Sequence, residues 1–158
     1  MTAAQIKPAP VRRSVFVKAS PEHAFQVFTS GFDRWWPKDH SSGTSPQREA
    51  VMELKAGGRW YEVGEDGSET QWGEVMAFEP PHRLVLIWRI GADWKWDPDL
   101  HTEVEVRFTP ERDGVRVDLE HRNLEAYGER AEQVKGAIDR EGGGWGALLK
   151  IFAAAAEA

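Results

Sequence analysis

For most of its length the chain repeats its apolar positions with period two, interrupted by a short helical stripe and ending in a longer one. In VRRSVFV, Val11, Val15 and Val17 share a face opposite Phe16, which predicts a strand over about 11–18. The next segment starts a helix: Ser20 suits the N-cap, Pro21 the first helical position and Glu22 the positive helix end. Ala24, Phe25, Val27 and Phe28 form its apolar stripe, Gly31 stops it, and FDRWW adds a second short helical turn. Period two returns with Ala50, Met52 and Leu54, a turn or bulge at Gly57-Gly58, and a strand over 59–63. Asp66-Gly67 marks a hairpin. In QWGEVMAFE, alternation puts Trp72, Met76 and Phe78 on one face, with Glu74 among them. After the Pro80-Pro81 turn, Leu84, Leu86 and Trp88 alternate with Val85, Ile87 and Arg89. A loop over 91–101 precedes two more strands, one carrying Val104, Val106 and Phe108 inward, the other Val115, Val117, Leu119 and His121. Residues 125–141 are helical in composition, Gly142-Gly143-Gly144 is a break, and Trp145, Leu148, Leu149 and Phe152 form a closing amphipathic helix.

One strand, short helices, about six antiparallel strands and a terminal helix make an α+β chain. Its economical architecture is a curved antiparallel sheet with one face covered by helices. A bent sheet gripping a helix leaves a concavity between them. Residues 1–10 read as a flexible lead-in and 11–158 as a single domain.

Tryptophan changes the picture. There are eight, against two tyrosines, and a buried indole N–H wants a partner. The pair Trp35-Trp36 cannot share one strand face, and Pro37 disfavours a helical Trp36. The doublet therefore ends a helix and enters a loop, with one ring packed inside and the other bordering the cavity mouth.

Charge and cysteine narrow the function classes. With 26 acidic against 20 basic side chains the net charge is −6, which gives no support to nucleic-acid or anionic-membrane binding. Without cysteine there is no disulfide, thiolate nucleophile or cysteine-ligated metal. The first residues lack the apolar run of a signal peptide, and IFAAAA is far too short for a membrane span, so a cytoplasmic protein without membrane insertion is expected.

Six stretches in order carry a family resemblance: SPEHAFQVFTS, the WW-P at 35–37, LKAGGRWYEV at 54–63, residues 66–88, residues 102–122, and GGGWGALLKIF. Over residues 11–157 the chain resembles the helix-grip, START-like superfamily, also called SRPBCC. Within it, the chain resembles the activator of heat-shock-protein-90 ATPase homologue family. The resemblance implies a curved antiparallel sheet wrapped around a long C-terminal helix, with short helices after the first strand. It also implies a cavity that in related folds takes apolar molecules. It implies no particular chemistry. The namesake co-chaperones carry an extra N-terminal domain for which this chain is too short.

Candidate chemistry is sparse. No G-x-S-x-G elbow or phosphate-binding glycine loop is present. His23 and His82 read as exposed, and His40, in KDHSSG, as a loop residue. Asp97, Asp99 and His101 have an alternating spacing, but Pro98 makes a solvated acidic loop the better reading than a metal site. His121 falls on the inward face, as a satisfied strand-end histidine or a polar cavity contact, with Glu74 and Arg89 as similar candidates. The expectation is a binding protein for an apolar or aromatic small molecule, with no catalytic residues, metal or cofactor. Its candidate ligand contacts are Trp35, Trp36, Trp60, Trp72, Trp88, His121, Trp145 and Leu149. A chaperone or other protein partner is the alternative, with an exposed patch around Trp94 and Trp96 and little internal space. An enzyme using His121 or a cavity carboxylate as general base is the third. A monomer or homodimer fits any of these.

Overall fold

The first strand edge is zipped to the last. In the computed structural model, which describes residues 8–158, β1 (Val11–Val17) pairs with β7 (Gly114–Arg122) so that Val11 faces His121 and Val17 faces Val115. Between them in the chain lie β2 (Gln47–Met52), β3 (Arg59–Gly64), β4 (Glu69–Glu79), β5 (Arg83–Trp88) and β6 (Thr102–Glu111). All neighbours are antiparallel, in the order β1-β7-β6-β5-β4-β3-β2. This is the helix-grip architecture the resemblance implies. The lead-in expected over residues 1–10 falls largely outside the described residues.

Helices cover the concave face. Helix α1 (Pro21–Phe28) starts where Ser20 Oγ accepts the His23 N–H, and it ends at Thr29, earlier than Gly31. Helix α2 (Phe32–Trp35) is the short turn expected in FDRWW. After β7 a 3-10 segment (Leu124–Arg130) leads into α3 (Ala131–Ile138), and α4 (Trp145–Glu157) crosses back over β1. Trp145, Leu148, Leu149 and Phe152 are all buried on one stripe of α4, each side chain contributing about 1.5–3 kcal/mol to its docking. The core is aromatic: Phe28 and Phe152 meet at 5.1 Å, and Phe25 meets Phe108 at the same separation.

The face assignment in β4 needs correction. Met76 was expected inward with Trp72 and Phe78, yet it is half exposed while Val75 is buried. The β3–β4 register slips between Trp60 and Tyr61, and the β4–β5 register slips between Val75 and Ala77. Each bulge adds one residue to β4 and flips the alternation beyond it, so strict period two fails twice in one strand. The bulges also sharpen the twist that curls the sheet around α4. Glu74 and Arg89 are likewise not cavity residues. They pair with each other at 2.7 Å, and Arg89 also donates to Leu100 O at 2.8 Å, anchoring the 90–100 loop.

Candidate functional site

A cavity of about 380 Å³ opens between the sheet, the 36–42 loop and the start of α4. Five indoles line it: Trp36 from the end of α2, Trp72 from β4, Trp88 from β5, Trp145 from α4 and the more exposed Trp94 from the loop after β5. Trp36 and Trp72 have ring centroids 5.5 Å apart, Trp88 and Trp145 5.7 Å, and Trp36 and Trp145 6.1 Å. Ile138 and Leu148 extend the apolar lining, while Asp39, His40, Ser41, Ser42 and Arg140 supply polar groups. Pockets of this size, mostly apolar with a few placed polar atoms, suit small organic ligands.

The Trp35-Trp36 doublet divides its labour. Trp35 turns into the core against Phe28 and Phe152 and donates its indole N–H to Val27 O. Trp36 stacks on Phe32 at 5.0 Å, donates to His40 O at 3.0 Å, and borders the cavity. A helix that stops between the two rings lets them diverge.

Three other expected contact residues do not reach the cavity surface. Trp60 is fully buried behind Trp72 and Trp88, and Leu149 packs in the core one position beyond the lining Leu148. His121 is also fully buried, behind Trp88 and Trp145. Its hydrogen bonds settle its tautomer. Thr102 Oγ1 must donate to Trp88 O (2.8 Å), so it accepts from His121 Nε2 (3.0 Å). The bare Nδ1 then accepts the Trp145 indole N–H at 3.1 Å. Burial pushes the histidine pKa down to about 3, so the ring is neutral and holds Trp145 in place.

Backbone spacing lets these rings gather. Gly73 faces inward between Trp60 and Trp88, where a Cβ would lie 1.7 Å from Ile87 O. Gly144 caps α4, and a Cβ there would press to 2.5 Å of Ile138 O. Glycine at the α4 N-cap thus brings Trp145 into the groove, as the break at 142–144 suggests.

Sequence reasoning missed Glu62. It lies on the inner face of β3, fully buried, and accepts from Ser41 Oγ (2.5 Å), Ser42 N (2.6 Å), Ser42 Oγ (3.3 Å) and Trp72 Nε1 (2.9 Å). The available signal was a charge two residues from Trp60, hence on the same strand face as that buried ring. His40, on the same loop, places Nε2 3.0 Å from Gly143 O and Nδ1 3.1 Å from Asp39, joining the loop to the turn before α4. The Asp39 carboxyl lies below its ordinary pKa, chiefly through the His40 hydrogen bond. Elsewhere, His101 pairs with Glu103 at 2.7 Å, and Asp97 accepts the Asp99 N–H. Among the described residues no three carboxylates or histidines gather as a metal site.

The sequence pattern described as Activator of Hsp90 ATPase homolog 1-like protein matches residues 18–157. The chain belongs to this family. Among solved structures similar to this family member, the anthrahydroquino-gamma-pyrone synthase Txn09 is 39% identical, with 94% of this chain and 97% of Txn09 covered and a TM-score of 0.65. CalC, a self-sacrificing resistance protein from Micromonospora echinospora, is 32% identical over 94% of each chain, with a TM-score of 0.69. The Aha1 dimer from Colwellia psychrerythraea shares the fold at 16% identity and a TM-score of 0.65, with 95% and 97% of the two chains covered. No curated protein matches the chain. No helix among the described residues is long and apolar enough to cross a membrane.

Proposed function

We propose that this family member is a small-molecule-binding protein whose cavity takes a planar, fused-ring aromatic ligand. One observation carries the reading: Trp36, Trp72, Trp88, Trp94 and Trp145 line one space of about 380 Å³. Trp36, Trp72, Trp88 and Trp145 touch one another and form a continuous aromatic wall, whose open edges and faces favour offset or edge contacts with a flat ring system. Trp35, Trp60, His121 and Leu149 act from behind, by fixing the wall. Arg140 sits at the rim and would attract an acceptor or acidic group on the outer end of the ligand. Similarity to Txn09, named as an anthrahydroquino-gamma-pyrone synthase, supports a ligand of this shape. The internal space favours a ligand over the chaperone-partner alternative, which required little cavity. The reading places residues 11–158 as one unit in the cytoplasm, as a monomer or homodimer.

Titrating anthraquinone while following tryptophan fluorescence tests it. Saturable quenching is expected, and Trp36→Ala should weaken binding about tenfold or more, roughly 1.4 kcal/mol. Quenching that never saturates, or that is unchanged in Trp36→Ala, would sink the assignment.

A further inference from the structure

Glu62 is a buried carboxylate without a cation: among the described residues no lysine, arginine or histidine forms an ion pair with it. Its oxygens are met by hydrogen-bond donors alone. Two of them, the Ser42 backbone N–H and the Trp72 indole N–H, can only donate, and both reach Oε1, while the Ser41 hydroxyl meets Oε2. The other two are the hydroxyls of Ser41 and Ser42, and both residues line the cavity. Ser42 Oγ, 3.3 Å from an oxygen that already accepts two N–H donors, is the weak member, whereas turning the Ser41 proton toward the cavity would leave Oε2 without a partner, which is disfavoured.

We propose that the Ser41 proton stays on the Glu62 carboxylate, so that Ser41 Oγ faces the cavity as a hydrogen-bond acceptor and the ligand edge beside it carries a phenolic hydroxyl donating to it. The proposal rests on the ligand-binding reading above and names the chemical class of that ligand. Ser41 Oγ spends its proton on Glu62 and one lone pair on the Gly43 N–H at 3.3 Å, leaving one lone pair open. A ligand ether or carbonyl placed there meets lone pair with lone pair. A hydroxyl completes the chain, ligand O–H to Ser41 O–H to Glu62. Sites built around a ligand hydroxyl reject analogues that lack it, because the site's own polar atoms are then left unpaired. Arg140 at the rim has the opposite preference. Glu62 is a positioning residue here: it acts through Ser41 and sets its polarity.

The test compares 2-hydroxyanthraquinone, 2-methoxyanthraquinone and anthraquinone by fluorescence titration, in mildly acidic buffer where the hydroxyl keeps its proton. Wild-type protein should bind the hydroxy compound about tenfold or more tighter than either of the others. In Glu62→Gln the amide donates to Ser41 Oγ and releases the serine proton toward the cavity, so the hydroxy-to-methoxy preference should fall to within about threefold. Ser41→Ala should abolish it too, and it carries the test if circular dichroism shows that Glu62→Gln does not fold. Equal binding of all three compounds overturns the acceptor role of Ser41 Oγ and leaves cavity binding standing. A preference that survives in both variants also overturns it. So does one that grows as the phenol ionises and disappears in Arg140→Ala, since it then belongs to a phenolate–arginine pair. If none of the three binds wild-type protein, the cavity reading fails, and the proposal with it.

Discussion

His121 links one proton to the stability of the cavity wall. Its folded pKa of about 3 lies below the value of about 6.5 for a free histidine, so the unfolded chain takes up the proton first. The contribution is therefore fully present above about pH 6.5 and is lost as pH falls from there toward 3. At a limiting slope of about 1.4 kcal/mol per pH unit, lowering pH from 7 to 5 costs about 2 kcal/mol. Urea unfolding at stepped pH should show this loss, and His121→Asn, less stable at neutral pH, should lack that share of the slope. Equal slopes in both proteins would refute it. Alternation alone placed His121 inward. It could not show that Trp88 and Trp145 stand between the ring and the cavity, since that depends on partners 33 and 24 residues away. Glu62 was hard to read for a related reason: a glutamate on a strand ordinarily faces solvent, its spacing from Trp60 was the one contrary sign, and its donors arrive from the 41–42 loop and from the next strand.

The decisive elements are the bulged strand β4 and the glycine start of α4. A Cβ at Gly73 would collide with the Ile87 carbonyl, so Gly73→Ala should destabilise by about 3 kcal/mol or more, through a broken β4–β5 pairing. Gly136, inside α3, is the counter-case: nothing lies within 4 Å of a Cβ there, and Gly136→Ala should stabilise by about 0.5–1 kcal/mol. Denaturation midpoints of the two variants against the parent decide both. Most elements were readable because their signals are local: the Ser20 cap with Pro21, the hairpin at Asp66-Gly67, and the clean alternation of β6 and β7. Strand β4 was misread because a bulge is set by how two strands fit. Nothing in QWGEVMAFE marks where the extra residues sit.

At the scale of the molecule, the sheet, the 36–42 loop and α4 all line the cavity, so occupancy should stabilise the whole fold. A ligand at a hundred times its dissociation constant adds about 2.7 kcal/mol, and thermal melting with 2-hydroxyanthraquinone should show a concentration-dependent rise in midpoint that Trp36→Ala loses. A midpoint indifferent to ligand would count against binding inside the fold. From the sequence alone came the α+β class, the order of strands and helices, the family resemblance, and the wealth of tryptophan. These follow from neighbours along the chain and from composition, because periodicity, capping and turn chemistry act over a few residues. Tertiary structure decided which tryptophans line the cavity and which stand behind it, that His121 fixes Trp145 from within, and that a buried Glu62 meets Ser41 and Ser42. Each of these joins groups from separate elements, and only the curl of the bulged sheet around α4 brings them within hydrogen-bonding distance.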